Sequence, residues 1–127
     1  MVNPNDFRQY VFSQDKRDFL SGKYLVAIAQ INKTRWIAHN TTRSHPKMFK
    51  KFKNGEYGAC CHAEVNAILK TPRKCRKNIE LFVMRFHKRG GISMAKPCEL
   101  CTNFIRENGI KNVWFTGWTG EWNKMIF

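Results

Sequence analysis

Two short segments of this chain hold residues that can bind and use a metal ion: Cys61-His62-Ala63-Glu64-Val65-Asn66-Ala67-Ile68 and Pro97-Cys98-Glu99-Leu100-Cys101. A Cys-x-x-Cys pair at the start of a helix can close on one ion, because its thiolates lie where the helix dipole and the free N–H groups of the first turn favour negative charge. Zinc accepts sulfur and imidazole nitrogen in tetrahedral geometry, and three protein ligands leave its fourth position open to water. His62, from the first turn of a second helix, is the natural third ligand beside Cys98 and Cys101. His62 and Glu64 do not share a face in mid-helix. Both reach one site only if the helix end points at it, which the preceding Gly58-Ala59 allows.

Such a site suits hydrolysis. Zinc lowers the pKa of a bound water towards ~7, which supplies a nucleophile for an amidine-like carbon bearing an amino group. A carboxylate beside it takes the water proton, gives it to the ring nitrogen, and passes the second proton to departing ammonia. Glu64 is the nearby carboxylate placed for this, whereas Glu99, between the cysteines, should point away from the metal. The alternative is a purely structural zinc site. That needs a fourth protein ligand; Cys61 or Cys75 could serve, but a structural site gives no reason for a glutamate two residues after the histidine.

The elements that must position these residues follow from the apolar pattern. Residues 6–20 read as an amphipathic helix with Asn5 or Asp6 as its cap, ended by Ser21-Gly22. Tyr24–Ile31 is a nearly continuous β-favourable run, as expected of a strand buried on both faces. Asn32-Lys33 turns it into a second strand, Thr34–His39. Residues 40–58 are polar and basic, with Pro46 and Gly55, and read as a loop with a short helix near 47–52. A helix over 62–70 stops at Thr71-Pro72, and 79–86 reads as a strand. A loop over 87–96, with Gly90-Gly91 at its tip, leads to a helix over 97–108, with Pro97 at its first turn and Gly109 just past its end. Residues 110–116 are the next strand. A parallel crossover takes a dozen or more residues, so a last strand near 122–127 should return antiparallel, through a turn at Trp118-Thr119-Gly120. The order is mixed α/β, with one sheet and helices on its faces.

Composition narrows the setting. A chain of 127 residues suits one domain with one core, and 43% hydrophobic content is that of a globular protein. No apolar run approaches the roughly 20 residues that span a bilayer, so no membrane is expected. The first residues lack the basic-then-apolar pattern of a signal peptide, which makes the cytoplasm the expected location. Cys60, Cys61, Cys75, Cys98 and Cys101 are odd in number, with two adjacent; this is a poor disulfide framework and fits a reducing compartment. The net charge of +14, from 23 Lys and Arg against 9 Asp and Glu, points to a phosphate-bearing partner, with plain solubility as the other reading.

His62-Ala63-Glu64 followed by Pro97-Cys98-Glu99-Leu100-Cys101 resembles the zinc-binding signature of the cytidine deaminase superfamily. The order of elements from Tyr24 to Thr116 is similar as well. The resemblance implies a three-layer α/β/α sandwich with a mixed sheet of about five strands, zinc (Zn2+) on His62, Cys98 and Cys101, and Glu64 as the catalytic acid and base. It also implies substrate contact at Ala63 within the signature, and at Asn40, where the superfamily often places an asparagine on the sugar. The Asn66 that follows Glu64 by two places is similar to the deoxycytidylate deaminases, which implies a cytosine nucleotide as substrate. The segment 41–46 resembles one found in small phage and bacterial deaminase-like proteins. Two features depart from the deoxycytidylate pattern. The stretch from Glu64 to Pro97 is lengthened by a basic loop with His87, Lys88 and Arg89, and the antiparallel end looks more like the free-nucleoside cytidine deaminases.

The remaining candidates concern what the base and phosphate touch. Arg43, Lys47, Lys50, Lys51 and Lys53, and then Arg85, Lys88 and Arg89, flank the expected site and could clamp one phosphate or track a strand. Arg43 and His45 are candidate substrate contacts, and Trp118 a candidate for stacking on a base. Phe49 and Phe52 have helical spacing and read as anchors of the short helix, while Trp114 reads as core. Two functions are therefore expected to compete: deamination of a free cytosine nucleotide, and deamination of cytosine, less readily adenine, in single-stranded DNA or RNA. A non-catalytic zinc-bearing binder is a third class, against which Glu64 stands. Resemblance to a superfamily that often assembles suggests a homo-oligomer.

Overall fold

The computed structural model describes residues 2–13, 24–40, 62–87 and 91–126. A 3-10 turn, Pro4–Phe7, leads into helix α1, Arg8–Ser13. Asn3 caps the turn, its Oδ1 accepting from the Asn5 amide at 3.1 Å. The cap is therefore Asn3 rather than Asn5 or Asp6, because Pro4 takes the first helical position, where its missing N–H costs nothing. Residues 14–20, the rest of the expected helix, lie outside the described residues, as do 41–61 and 88–90.

Strands β1, Tyr24–Ile31, and β2, Thr34–His39, form the expected hairpin. Its two-residue turn needs a left-handed residue, and Asn32 supplies it with φ 54°. Helix α2, Ala63–Lys70, follows, and a 3-10 helix, Arg73–Asn78, carries the chain to strand β3, Glu80–Phe86. The short β4, Ile92–Ser93, turns back on β3 inside the stretch expected to be loop. Helix α3, Glu99–Glu107, precedes β5, Asn112–Thr116, and β6, Trp122–Lys124.

One open sheet runs in the order β2-β1-β3-β5-β6, with β4 added on β3. Among the described strands only β3 and β5 pair in parallel, with Leu81 opposite Val113 and Val83 opposite Phe115; α3 is the crossover between them. The last strand returns antiparallel to β5, as the short connection from Thr116 to Trp122 requires. β1 lies between β2 and β3, and Val26, Ala27, Ile28 and Ala29 are buried on both its faces. This is why its sequence is apolar without alternation.

The sheet separates two cores, which makes the layers α/β/α. On one face α2 and α3 pack on Ala27, Ala29, Leu81, Val83 and Val113. Ala63 and Ala67 of α2 share this core with the two strand alanines, so small side chains line both the helix and the strand. α3 contributes Cys101, Phe104 and Ile105, an i, i+3, i+4 stripe. On the other face Val2, Phe7 and Val11 cover Val26, Ile28, Phe82, Met84 and Phe86. α3 stops in a Schellman motif: Gly109, at φ 73°, donates to Arg106, and Ile110 donates to Ile105. Among the described residues no helix is long and apolar enough to cross a membrane.

Candidate metal centre

His62 is the N-cap of α2 and Cys98 the N-cap of α3, both with extended backbone. The first intrahelical bonds run from Asn66 N to His62 O at 3.0 Å and from Thr102 N to Cys98 O at 2.8 Å. Both helices thus begin at the same place, with the positive ends of their dipoles turned to it. Pro97 lies one residue before the cap, not in the first turn, so its fixed φ sets the approach of Cys98 rather than the start of the helix. The segment leading there is held to the sheet. Ala95 N donates to Thr116 O at 2.9 Å, and the buried Thr116 Oγ1 donates to Ser93 O at 2.8 Å.

The site stands beyond the carboxyl ends of β3 and β5, where open α/β sheets place their ligands. His62 Nδ1 lies 3.1 Å from Cys101 Sγ and 3.5 Å from Cys98 Sγ. The three ligand atoms are all within 4.8 Å of one another. Zinc–sulfur bonds of about 2.3 Å and zinc–nitrogen bonds of about 2.0–2.1 Å at tetrahedral angles put N and S about 3.6 Å apart. The observed separations approach that value from below, so a small outward shift of the ligands admits the ion. The donors themselves, two sulfurs and an imidazole, are those that select zinc.

The protonation of the thiols points the same way. Cys98 is pushed down to about 4, chiefly by the hydrogen bond from the Cys101 thiol and, against the effect of burial, by His62. Cys101 is pushed up, by that same hydrogen bond and by its burial. The two thiols therefore share one proton between them. An ion that displaces this proton gains two thiolates.

Glu64 is only 4% exposed, in the first turn of α2. Burial raises its carboxyl, opposed by backbone hydrogen bonding and by His62. Its side chain interacts with Cys101, while Oε1 is buried with no hydrogen-bond partner among the described residues. A buried, unsatisfied carboxyl oxygen costs about 1–3 kcal/mol or more. It marks a place where a water or a substrate group completes the site. The metal-ligating group among the described residues has three members, and Cys75 is not one of them. Cys61, the other proposed fourth ligand, lies outside those residues.

The other candidates are distributed differently. Ala63 is fully buried at the start of α2, between His62 and Glu64. Asn40 is buried at the end of β2, at the same end of the sheet, and clips the hairpin shut: its Oδ1 accepts from Leu25 N at 3.2 Å, and its own N donates to Leu25 O at 3.3 Å. Trp118 is 68% exposed on the turn after β5, again at this end. The turn is held by Glu121, whose Oε2 accepts from the amide and hydroxyl of Thr119 and whose carboxylate fills the space beside Gly117 that a Cβ would need. Arg43 and His45 lie outside the described residues. Sequence reasoning missed two supports of the site. One is the Ser93–Thr116 strap, for which neither residue type gives a signal. The other is Asn66, whose Nδ2 donates to His39 O at 2.8 Å and ties α2 to β2; only its position on the helix face towards the hairpin could have suggested that.

Comparison with known proteins agrees with this geometry. The model of the cytidine and deoxycytidylate deaminase zinc-binding region matches residues 25–116, which includes all three candidate ligands and Glu64. No curated protein shows a significant match to the chain. The match spans most of the chain and all of the sheet except Tyr24 and β6, so the chain belongs to the cytidine and deoxycytidylate deaminase zinc-binding family.

Proposed function

We propose that residues 1–127 form one zinc-dependent deaminase domain that converts a cytosine nucleotide, of the deoxycytidylate kind, to its uracil counterpart with release of ammonia. The observation that carries this reading is the buried carboxyl of Glu64, with its orphan oxygen, beside a ligand group of three. His62, Cys98 and Cys101 would hold the ion. When bound, zinc supplies Lewis acidity that makes a water nucleophilic near neutral pH. Glu64 accepts the water proton at Oε1 and delivers it to the ring nitrogen of the base. The same carboxyl then carries the second proton to the amino group, so that the carbon–nitrogen bond breaks, ammonia leaves and a carbonyl remains. The low exposure of Glu64 keeps bulk water from competing for these protons. Asn40 and Trp118 bound the same end of the sheet and are the substrate contacts this reading assigns, to sugar and base respectively. The reading also sets the chain in the reducing cytoplasm, where Cys98 and Cys101 stay available to metal, and as a homo-oligomer.

The test is ammonia release by the zinc-loaded protein from deoxycytidylate, deoxycytidine and cytidine. The expected result is turnover of all or some of these, with the highest kcat/KM for deoxycytidylate. No ammonia from any free cytosine nucleoside or nucleotide overturns the proposal. The charge of +14 supports a second reading, in which the base is presented by single-stranded DNA or RNA. Conversion of cytosine in oligonucleotides, falling steeply with salt, is then expected in place of conversion of the free nucleotide.

A further inference from the structure

At the end of the sheet opposite the metal centre, α2 and α3 finish together. Between Glu64 and Glu80 the chain carries Lys70, Arg73, Lys74, Arg76 and Lys77 and not one acidic residue. The 3-10 helix gathers most of these charges. Side chains three apart eclipse in such a helix, so Lys74 stands over Lys77 and Arg73 over Arg76. Arg76 is the exception to their exposure. It is 8% exposed, donates from Nε to Thr71 Oγ1 at 3.3 Å and from Nη2 to Thr71 O at 3.3 Å, and reaches across from Nη1 to Asn108 Oδ1 at 3.1 Å. It pins the basic helix to the end of α3. The stem of Lys77 lies beside Gly109, past which Lys111 is also exposed.

Among the described residues no carboxylate pairs with Arg73, Lys74, Lys77 or Lys111. Like charges held together without counter-charges repel one another. Here a buried guanidinium, itself lowered by burial and by the neighbouring Arg73, fixes them in place. Cations meant only for solubility need no such anchor and are better dispersed. α2 alone is about 12 Å long at 1.5 Å per residue, so one mononucleotide bound beside Glu64 does not also touch this surface. We propose that Arg73, Lys74, Lys77 and Lys111 form a docking surface for the phosphate backbone of single-stranded nucleic acid, separate from the catalytic centre. It goes beyond the proposed reaction, and binding at this surface does not depend on turnover.

The test uses the full zinc-loaded chain and a labelled oligothymidylate, which holds no cytosine and so reports docking apart from deamination. Arg73→Glu/Lys74→Glu/Lys77→Glu is compared with Lys33→Glu/Arg35→Glu/Lys124→Glu, which makes the same change of net charge, from +14 to +8. Loss of three phosphate contacts lowers the slope of log K against log salt by about 2 for a single strand, so the wild type should lose about 16-fold more affinity than the first variant between 50 and 200 mM salt. The second variant should keep most of the wild-type slope. The milder Arg73→Gln/Lys74→Gln/Lys77→Gln replaces the first variant if that one fails to fold. Equal slopes for wild type and the first variant, or equal losses in both variants, overturn the proposal. So does tighter binding of the wild type to phosphatidylserine–phosphatidylcholine vesicles than to the oligonucleotide, which would make the partner a membrane surface. Ammonia release from free deoxycytidylate should be the same in the first variant and the wild type; a failure of that reaction in both leaves the binding result intact.

Discussion

Asn66 donates from Nδ2 to the carbonyl oxygen of His39 over 2.8 Å, and so locks the second turn of α2 to the end of β2. The hydroxyl of Tyr10 meets the His39 ring at 3.3 Å from α1, so one residue connects both helical layers across the edge of the sheet. Glu64 lies two residues before Asn66 on the same helix. The bond therefore fixes how far α2 rotates about its axis, and with it where the Glu64 carboxyl points. Asn66→Ala leaves the carbonyl short of a donor and is expected to cost about 1–3 kcal/mol, read as a fall in Tm of the zinc-loaded protein. It should also lower kcat more than it raises KM. An unchanged Tm and kcat would remove the locking role.

Glu64→Gln keeps the shape of the side chain and removes its capacity to take a proton. Zinc content and fold should stay as in the wild type, and ammonia release should fall by about 10²–10⁴-fold, the usual worth of a positioned acid–base group. Metal analysis and turnover on the same sample check this. Full activity in the variant would assign the proton transfers elsewhere.

Removing the metal should destabilise the chain as well as silence it. His62 caps α2 while Cys98 and Cys101 stand at the start of α3, and an ion that joins the two helices binds the folded state far better than the unfolded one. At free zinc of about 100 times Kd the stabilisation is about 2.7 kcal/mol. Chelator-treated protein should accordingly melt at lower temperature, and both Tm and ammonia release should return on adding zinc. Cys101→Ser should abolish that zinc-dependent gain in Tm. A melting curve indifferent to zinc would mean that the group does not hold the ion.

The legibility of this fold in its sequence follows from which forces act locally. β1 was readable because both its faces are covered, which leaves an apolar run from Tyr24 to Ile31 interrupted only by Gln30. The metal-ligating group was readable because chemistry confines it to a few residue types at set spacings. β4 was not, since two residues carry no period. The basic helix Arg73–Asn78 carries no apolar stripe, and a single buried arginine holds it, bonded to Thr71 and Asn108. Asn66 shows a different limit. Its position in the signature suggested a kind of substrate, whereas its side chain is engaged with the backbone of β2, a contact that only the packed hairpin creates.

The strap behind the cysteines offers the last prediction. Thr116 and Ser93 are both buried, and the 2.8 Å bond from Thr116 Oγ1 to Ser93 O, with that from Ala95 N to Thr116 O, holds the segment before Cys98 against the end of β5. Thr116→Val preserves the branched shape and the backbone bond but removes the hydroxyl donor from the buried Ser93 carbonyl. The expected cost is about 0.5–1.5 kcal/mol. Since the freed segment is the one that aims Cys98, zinc affinity should fall too, by the 10–100-fold typical when a support of a metal ligand is lost. Competition with a chelator of known strength measures the second effect separately from Tm. A loss of stability with zinc affinity unchanged would show that Pro97 and the start of α3 orient Cys98 without help from β5.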